Sequence, residues 1–171
     1  MLVILSVKNS FIMKILIVCN TEESKATELS LYLKCEAERM NRRVVVLNAA
    51  DVSRAPGNFD ATVVVGEIHN KHFSESVCNY ISCHLDQLNV TPSFFLSILS
   101  CEDENNLSVP EHMKQSVREF LQTAGWNPQQ VMVLPAGTRL QDHEFVTLTD
   151  WPELKISLQR FLIRNDLIMA G

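Results

Sequence analysis

The sequence predicts an α/β domain of the doubly wound type, with a five-stranded parallel sheet and helices on both of its faces. Strand and helix patterns alternate five times, which is typical of parallel strands joined by right-handed helical crossovers. The strand segments are continuous apolar runs, as expected where both faces of a strand are buried. The 171 residues suffice for one compact domain but not for two ordinary ones.

The first half of the chain begins with the clearest strand. Residues 15–19 are apolar and end in a short polar turn, and residues 28–40 then carry apolar side chains at helical spacing. Further along lie a strand at 43–47, a Pro- and Gly-containing loop at 56–58, a strand at 61–65 that Gly66 ends, and a single helix at 73–88.

The second half continues the alternation. Pro92 introduces a strand at 94–99, and the polar, acidic residues 100–109 form a loop. Pro110 suits the first turn of a helix that Gly125 closes. A strand at 131–134 and an irregular piece at 135–147 lead to the last helix. Thr149 or Asp150 can cap that helix, and its buried face comprises Leu154, Leu158, Phe161 and Leu162.

The amino terminus reads as an addition to this domain. Residues 1–12 are apolar but lack the basic start and cleavage site of a secretory signal. We expect an extension or a misassigned start there, and one domain over residues 13–171. No apolar run is long enough to predict a transmembrane helix. The net charge of −5 argues against nucleic acid as a partner.

The five cysteines are odd in number and contain no CxxC pair. Reduced thiols in a cytoplasmic protein are the simplest interpretation. One alternative is a redox pair between Cys19 and Cys101, both at strand ends. Another is a zinc site, although its spacing matches no known zinc framework. Its ligands would be His69, His72, Cys78 and Cys83.

The topology predicts where a ligand would bind. In an open parallel sheet of order 2-1-3-4-5, ligands lie at the carboxyl ends of the strands, where the strand order reverses. Loops 20–26, 66–72 and 100–109 meet there. The first loop opens a helix, and helix N-termini bind anions such as phosphate. The alternative is that Thr21, Ser24 and Thr27 only cap that helix.

Several motifs carry a resemblance to a known family. They are Asn20-Thr21, Phe59-Asp60, Leu88-Asn89, Trp126-Asn127-Pro128, Ala136-Gly137 and Thr149-Asp150-Trp151. With them, residues 13 to about 165 resemble the flavodoxin superfamily, and more closely its menaquinone-dependent protoporphyrinogen oxidase branch. The resemblance implies a flavodoxin-like fold and a non-covalent FMN, with the phosphate in the first loop and the ring between the second and third. It also implies electron transfer to a quinone or another redox partner.

The same resemblance implies a set of cofactor-binding residues. They are Asn20, Thr21, Glu22, Glu23, Ser24, Lys25 and Ala26 in the first loop, Gly66, Glu67, Ile68, His69 and Asn70 in the second, and Ser100 and Cys101 in the third. The flavin itself performs the redox chemistry in such proteins. No catalytic side chain is therefore required, and the sequence indicates none.

Departures from the family pattern support a second hypothesis. Ser24 replaces a glycine and Ala26 a threonine, and losing a hydroxyl donor to a charged group costs about 1.5–3 kcal/mol. In the second loop, Lys71 replaces a glycine, His69 and His72 read as exposed loop residues, and Phe73 is the only aromatic residue available to a flavin ring. The third loop offers carboxylates instead, Glu102, Asp103 and Glu104, which are solvated or meet a divalent cation. The protein could thus be a cofactor-free binding or regulatory module, or a small carrier that holds FMN loosely.

Overall fold

Five parallel strands form one sheet in the order β2-β1-β3-β4-β5. The strands are β1 (Lys14–Cys19), β2 (Arg43–Asn48), β3 (Ala61–Ile68), β4 (Ser93–Leu99) and β5 (Gln130–Leu134). The structure is a computed structural model that describes residues 11–100, 108–135 and 152–169. The predicted fold class and strand order are confirmed.

Helices cover both faces of the sheet. They are α1 (Ser24–Arg39), α2 (Glu75–Cys83), α3 (Leu85–Val90), α4 (Glu111–Ala124) and α5 (Pro152–Met169), with a short 3₁₀ turn at Pro56–Asn58. On one face α1 and α5 pack over Ile15 and Ile17 of β1, and on the other α2, α3 and α4 pack over Leu16 and Val18. Because β1 is buried on both faces, its apolar run has no polar alternation. No helix within the described ranges is both long and apolar enough to cross a bilayer.

Two element boundaries differ from the sequence-based expectation. β3 does not end at Gly66 but continues to Ile68, since Gly66 pairs with Ser97 of β4 inside the sheet. The expected single helix 73–88 is divided at His84, whose φ of −119° and ψ of 20° leave the helical region. There the His84 Nε2 atom lies 2.8 Å from the Val52 carbonyl oxygen, so a tertiary contact accompanies the break.

The end of α4 is fixed by backbone geometry and by one side chain. Gly125 ends the helix at φ +70°, as predicted from its position. The amide group of Asn89 then bridges the turn: its Nδ2 donates to the Gly125 carbonyl at 2.9 Å, and its Oδ1 accepts from the Asn127 N–H at 2.9 Å. These bonds attach α3 to the segment that leads into β5.

Both ends of the domain agree in part with expectation. Met13 is buried and its carbonyl accepts a bond from the Arg43 N–H at 3.0 Å, so the fold includes residue 13. Whether residues 1–12 are an extension stays a prediction. Leu154, Leu158, Phe161 and Leu162 are buried, as predicted for the last helix. Its expected caps, Thr149 and Asp150, lie outside the described residues.

Candidate functional site

The strand order brings the carboxyl ends of β1, β3 and β4 together. β1 lies between β2 and β3, so β2 is added on one side of β1, and β3 and β4 are added on the other side. The segments after β3 and β4 touch each other: the Ser100 N–H donates to the Ile68 carbonyl at 2.9 Å, and His69 Nδ1 lies 3.4 Å from Ser100 Oγ. Parts of all three predicted loops therefore share one edge of the sheet.

The first loop is a tight polar turn built on Asn20. The Asn20 carbonyl accepts from the Glu23 N–H at 3.0 Å, and its side-chain Oδ1 accepts from the Glu22 N–H at 3.1 Å. Thr21, Glu22 and Ser24 are exposed, whereas Asn20 and Lys25 are partly buried and Ala26, in the first turn of α1, is fully buried. The turn thus presents hydroxyl groups to solvent beside the helix N-terminus.

The helix start does not use the hydroxyl caps that the alternative hypothesis expected. Glu23 occupies the N-cap position of α1, and it makes no side-chain capping hydrogen bond. Thr27 lies in the first turn, and its hydroxyl is buried without a hydrogen-bond partner of normal geometry. The capping hypothesis for Thr21, Ser24 and Thr27 is therefore wrong, because the N-cap residue is Glu23 and no side-chain hydrogen bond caps the helix.

The Glu23 carboxyl turns inward, toward the end of β3. Burial raises its pKa, and the neighbouring Glu67 carboxylate raises it further. The Ser74 hydroxyl, the Glu67 backbone amide and the Asn20 side chain act in the opposite direction by favouring the charged form. One carboxylate oxygen of each glutamate, Oε2, is shielded from solvent and accepts no hydrogen bond. Two acidic groups thus meet between the first and second loops.

The second loop is shorter than expected because β3 runs on to Ile68. Gly66, Glu67 and Ile68 therefore lie in the strand and not in a loop, and Gly66 and Ile68 are buried. Residues 69–72 form a two-residue turn closed by bonds from the His69 N–H to the His72 carbonyl (2.8 Å) and back (2.9 Å). His69 and His72 are exposed, as expected.

Both central residues of that turn adopt left-handed backbone conformations. Asn70 has φ +49° and Lys71 has φ +66°. Asparagine tolerates this region and glycine prefers it, but a lysine there carries backbone strain. The strain falls at Lys71, the position where the resemblance described above implies a glycine.

Phe73 does not face the open edge, and the expectation that it could touch a flavin ring is wrong. Its side chain is only 9% exposed. The ring packs edge-on against Phe95 at a centroid distance of 5.3 Å and against Phe120 at 4.6 Å. Because Gly66 has no side chain, the Phe73 ring can lie directly over the β3 backbone. Phe73 is therefore part of the hydrophobic core.

The third loop is described only at its ends. Ser100 is partly buried beside His69, but Cys101 and the carboxylates at 102–104 lie outside the described residues. The proposed partner of Cys101, Cys19, is fully buried at the end of β1. Burial raises the pKa of the Cys19 thiol, although the hydroxyls of Ser30 and Thr27 oppose that rise. The thiol is therefore protonated at neutral pH and a weak nucleophile.

The described residues hold no metal cluster: across 11–100, 108–135 and 152–169, no three His, Cys, Asp or Glu side chains come together closely enough to bind an ion. The site is instead a polar edge with an uncapped helix start, two exposed imidazoles and two inward carboxyls. Sequence reasoning missed Ser74, which favours the charged form of Glu23. Its place directly before α2, as the N-cap residue, was the signal that could have found it.

Comparisons with known proteins agree with this fold. The family model described as "Flavodoxin domain" matches residues 30–147. Protoporphyrinogen IX dehydrogenase (quinone) from Escherichia coli strain K12 is 24% identical over 160 residues, which cover 93% of this chain and 81% of that protein.

Solved structures show the same fold at low sequence identity. An NADH:FMN oxidoreductase in its apo form superposes with a TM-score of 0.62 at 13% identity, covering 89% of each chain. A flavodoxin from Streptococcus pneumoniae TIGR4 superposes with a TM-score of 0.58 at 13% identity, covering 88% of this chain and 99% of the other.

Proposed function

Because this chain belongs to the flavodoxin domain family, we propose that it is a flavin-linked electron-transfer protein that binds its flavin at the carboxyl edge of β1, β3 and β4. Family membership supports flavin-type redox function in general. The observation that carries the proposal is that the uncapped start of α1 follows β1 at the same edge of the sheet where the His69–His72 turn and Ser100 contact each other.

The described residues suggest how a flavin would be held. The α1 N-terminus and the hydroxyls of Thr21 and Ser24 line one end of the edge, and the His69–His72 turn and Ser100 line the other. A bound flavin supplies the electron-accepting and electron-donating chemistry, while the protein supplies binding and electrostatics. The turn backbone offers amides and carbonyls, and the exposed imidazoles of His69 and His72 offer flat surfaces.

The described residues support a flavin through the loop backbone, the helix start and two imidazoles, and they fit the phosphate of FMN poorly. No phenyl, phenol or indole ring faces the edge from the described loops, since Phe73 is buried. The uncapped helix start suits an anion, but the Glu23 and Glu67 carboxyls lie beside it. FMN, predicted from the sequence, stays a prediction, and the backbone of the loops would have to contribute most of the binding.

The reaction partner is proposed from the Escherichia coli relative. That protein is named as a quinone-dependent dehydrogenase of protoporphyrinogen IX. We extend to this chain the acceptor class, a quinone or another redox partner, and an oxidoreduction resembling that of the relative. The exposed His69–His72 turn is the part of the described edge where a partner could approach a flavin ring.

A second candidate function is a cofactor-free binding or regulatory module. The buried Phe73 ring and the inward carboxyls favour it, because both remove support that a flavin would otherwise receive. The fold alone does not decide between the two, since flavodoxin-like scaffolds host several functions.

The visible absorption spectrum of the purified protein, recorded before and after adding FMN or riboflavin, tests the proposal. Flavin absorption bands that remain with the protein through gel filtration, with quenched flavin fluorescence, are the expected result. Oxidation of protoporphyrinogen with a quinone acceptor would then be assayed. A colourless protein that leaves the fluorescence of both flavins unchanged would instead favour the cofactor-free module.

A further inference from the structure

Helices α1 and α5 pack over the same face of the sheet and contact each other, and their outward surface carries apolar side chains between charged ones. We propose that this α1–α5 face is the interface of a homodimer, in which α1 of each copy packs against α5 of the other. The inference goes beyond the proposed function and does not depend on flavin binding.

The first argument is the amount of apolar surface that the face exposes. Leu31 of α1 and Ile156, Ile163 and Leu167 of α5 are between 47% and 73% exposed. These four are half of the eight large hydrophobic side chains that are exposed within the described residues. The three α5 residues are spaced by seven and four positions, so they form one stripe along the outer side of the helix. Such a concentration of exposed apolar side chains marks an interaction surface.

The second argument is the alignment of the two helices. Near the end of α1, the Ala37 carbonyl accepts a hydrogen bond from the Arg42 N–H at 3.0 Å. Near the end of α5, Asp166 forms an ion pair with the guanidinium group of the same Arg42. Ala37 and Asp166 therefore lie at about the same level, next to the start of β2, and positions along the two helices can be counted back from them.

This count places the apolar side chains of the two helices in register. Leu31 lies six residues before Ala37, whereas Ile156 and Ile163 lie ten and three residues before Asp166. The level of Leu31 therefore falls between the two isoleucines, since both helices rise about 1.5 Å per residue. A two-fold axis parallel to the helices places α1 of one copy over α5 of the other at the same level. Leu31 of each copy then packs between the two isoleucines of its partner.

The third argument is charge complementarity. The outer side of α1 exposes Glu28 and Glu38, and that of α5 exposes Arg160 and Arg164. By the same count, Arg160 lies within one turn of the level of Glu28, and Arg164 within one turn of the level of Glu38. Glu38 has a weak contact of 4.0 Å with Lys34 in its own helix. The two-fold arrangement therefore brings carboxylates opposite guanidinium groups on both sides of the axis.

The same separation of charge favours a second copy over a lipid surface. An anionic membrane attracts a basic helix, but it would be repelled by the carboxylates of α1 and by a chain of net charge −5. The exceptions to the separation lie at the ends of the face. Arg39, at the end of α1, is paired with Glu36 at 3.0 Å, and Glu153 lies at the start of α5.

The size of the face predicts a weak dimer. The helices have 16 and 18 residues, so at about 1.5 Å per residue and about 10 Å of width each they form a face of about 500 Å². Two such faces bury about 1,000 Å² in total, at the low end of the range for specific interfaces. We therefore expect a dissociation constant in the micromolar range or above, and a dimer that dissociates on dilution.

Sedimentation equilibrium of the full-length protein tests the inference, with a reducing agent present because Cys35 is exposed on α1. We expect a monomer–dimer equilibrium. Arg160→Glu and Glu28→Lys should each raise the dissociation constant about 3- to 10-fold, since each acts at two surface contacts per dimer. The double variant exchanges the two charges and should restore the wild-type value to within about twofold. Lys114→Glu, the same change of charge on α4, is the control and should have less than about a twofold effect.

A second pair of variants tests the apolar contact. Ile163→Ser should raise the dissociation constant about tenfold or more, because it removes apolar area from both halves of the interface. Val90→Ser is the control: Val90 is strongly exposed, but it lies on α3, over the other face of the sheet. Circular dichroism verifies that each variant is folded.

Several results would overturn the inference. The protein could remain monomeric at every concentration, or the charge-exchanged double variant could fail to recover the dimer. A monomer that sediments with vesicles of phosphatidylcholine and phosphatidylglycerol would assign the face to lipid. A monomer that dimerises only when residues 1–12 are removed would assign the face to that segment. None of these results bears on flavin binding, so the proposed function and this inference can fail separately.

Discussion

Adding one methyl group at Gly66 should destabilise the fold strongly, and the structure explains why. A Cβ atom built on Gly66 would lie 2.8 Å from Cδ1 and 3.0 Å from Cε1 of Phe73, and 3.4 Å from Cε2 of Phe95. The Phe73 ring cannot retreat, because it is buried against Phe95 and Phe120. Overpacking of this kind costs about 1–3 kcal/mol. We expect Gly66→Ala to lower the free energy of unfolding by that amount.

Urea unfolding followed by circular dichroism measures the loss. Gly57→Ala is the matched control: its Cβ would meet Oε1 of Gln87 at 2.8 Å, but that atom ends a flexible side chain and can move away, losing only the exposed hydrogen bond that it accepts from the Gly57 N–H. We expect the control to change stability by less than about 1 kcal/mol. Phe73→Ala, which removes the opposing ring carbons, should relieve the clash, so the double variant should show a coupling energy of about 1 kcal/mol or more. A neutral Gly66→Ala, or strict additivity in the double variant, would refute the placement of Phe73 in the core.

Three further predictions concern other positions. Lys71→Gly should raise the free energy of unfolding by about 0.5–1 kcal/mol, because glycine relieves the left-handed backbone strain. The control Lys71→Ala should leave the free energy of unfolding nearly unchanged, because alanine has the same strain. Urea unfolding of both variants measures the difference. Asn89→Ala should cost about 1–2 kcal/mol by removing both bridging hydrogen bonds. Asn89→Asp should cost at least as much, because a carboxylate oxygen would replace the donor that faces the Gly125 carbonyl oxygen; a clearly smaller loss in urea unfolding would contradict this reasoning. Burial raises the pKa of the Glu23 carboxyl in the folded state. The folded protein therefore binds that proton more tightly than the unfolded chain does. Ionisation of Glu23 then lowers the free energy of unfolding as the pH rises above about 4.3, the ordinary pKa of a glutamate. Glu23→Gln should therefore stabilise the protein at about pH 7 but not at about pH 3, and the exposed control Glu22→Gln should show no such pH-dependent gain.

Most of the fold could be predicted because its signals are local. Five apolar runs mark strands that are buried on both faces, as in β1, where Ile15 and Leu16 face opposite helix layers. Gly125 marked the end of α4 through a backbone requirement that the structure confirms at φ +70°. Such features depend on the residue and its immediate neighbours, so one sequence is enough to recognise them.

The two element boundaries that were predicted wrongly involve contacts with residues outside the element itself. Gly66 resembles a strand end, but its missing side chain makes room for Phe73, a residue seven positions later. The periodic pattern of 73–88 continues through His84, but a contact with the Val52 carbonyl accompanies a break there. A pattern of apolar spacing carries no information about either partner.

The meeting of the loop segments could be predicted from topology, but the arrangement of their side chains could not. Topology alone indicated the carboxyl edge, and the structure brings its described segments together there. The inward direction of Glu23 could not be read from the chain, because an N-cap glutamate can bond to its own helix or to a neighbouring strand. Its partners Glu67 and Ser74 are more than forty residues away in sequence.

The most direct measurement of where a flavin binds is an amide NMR titration of the labelled protein with riboflavin. The account predicts shifts concentrated on the first loop, the His69–His72 turn and Ser100, with little change at the opposite edge around Gly125. Shifts centred at that opposite edge, or no shifts at a riboflavin concentration that saturates typical flavoproteins, would contradict it.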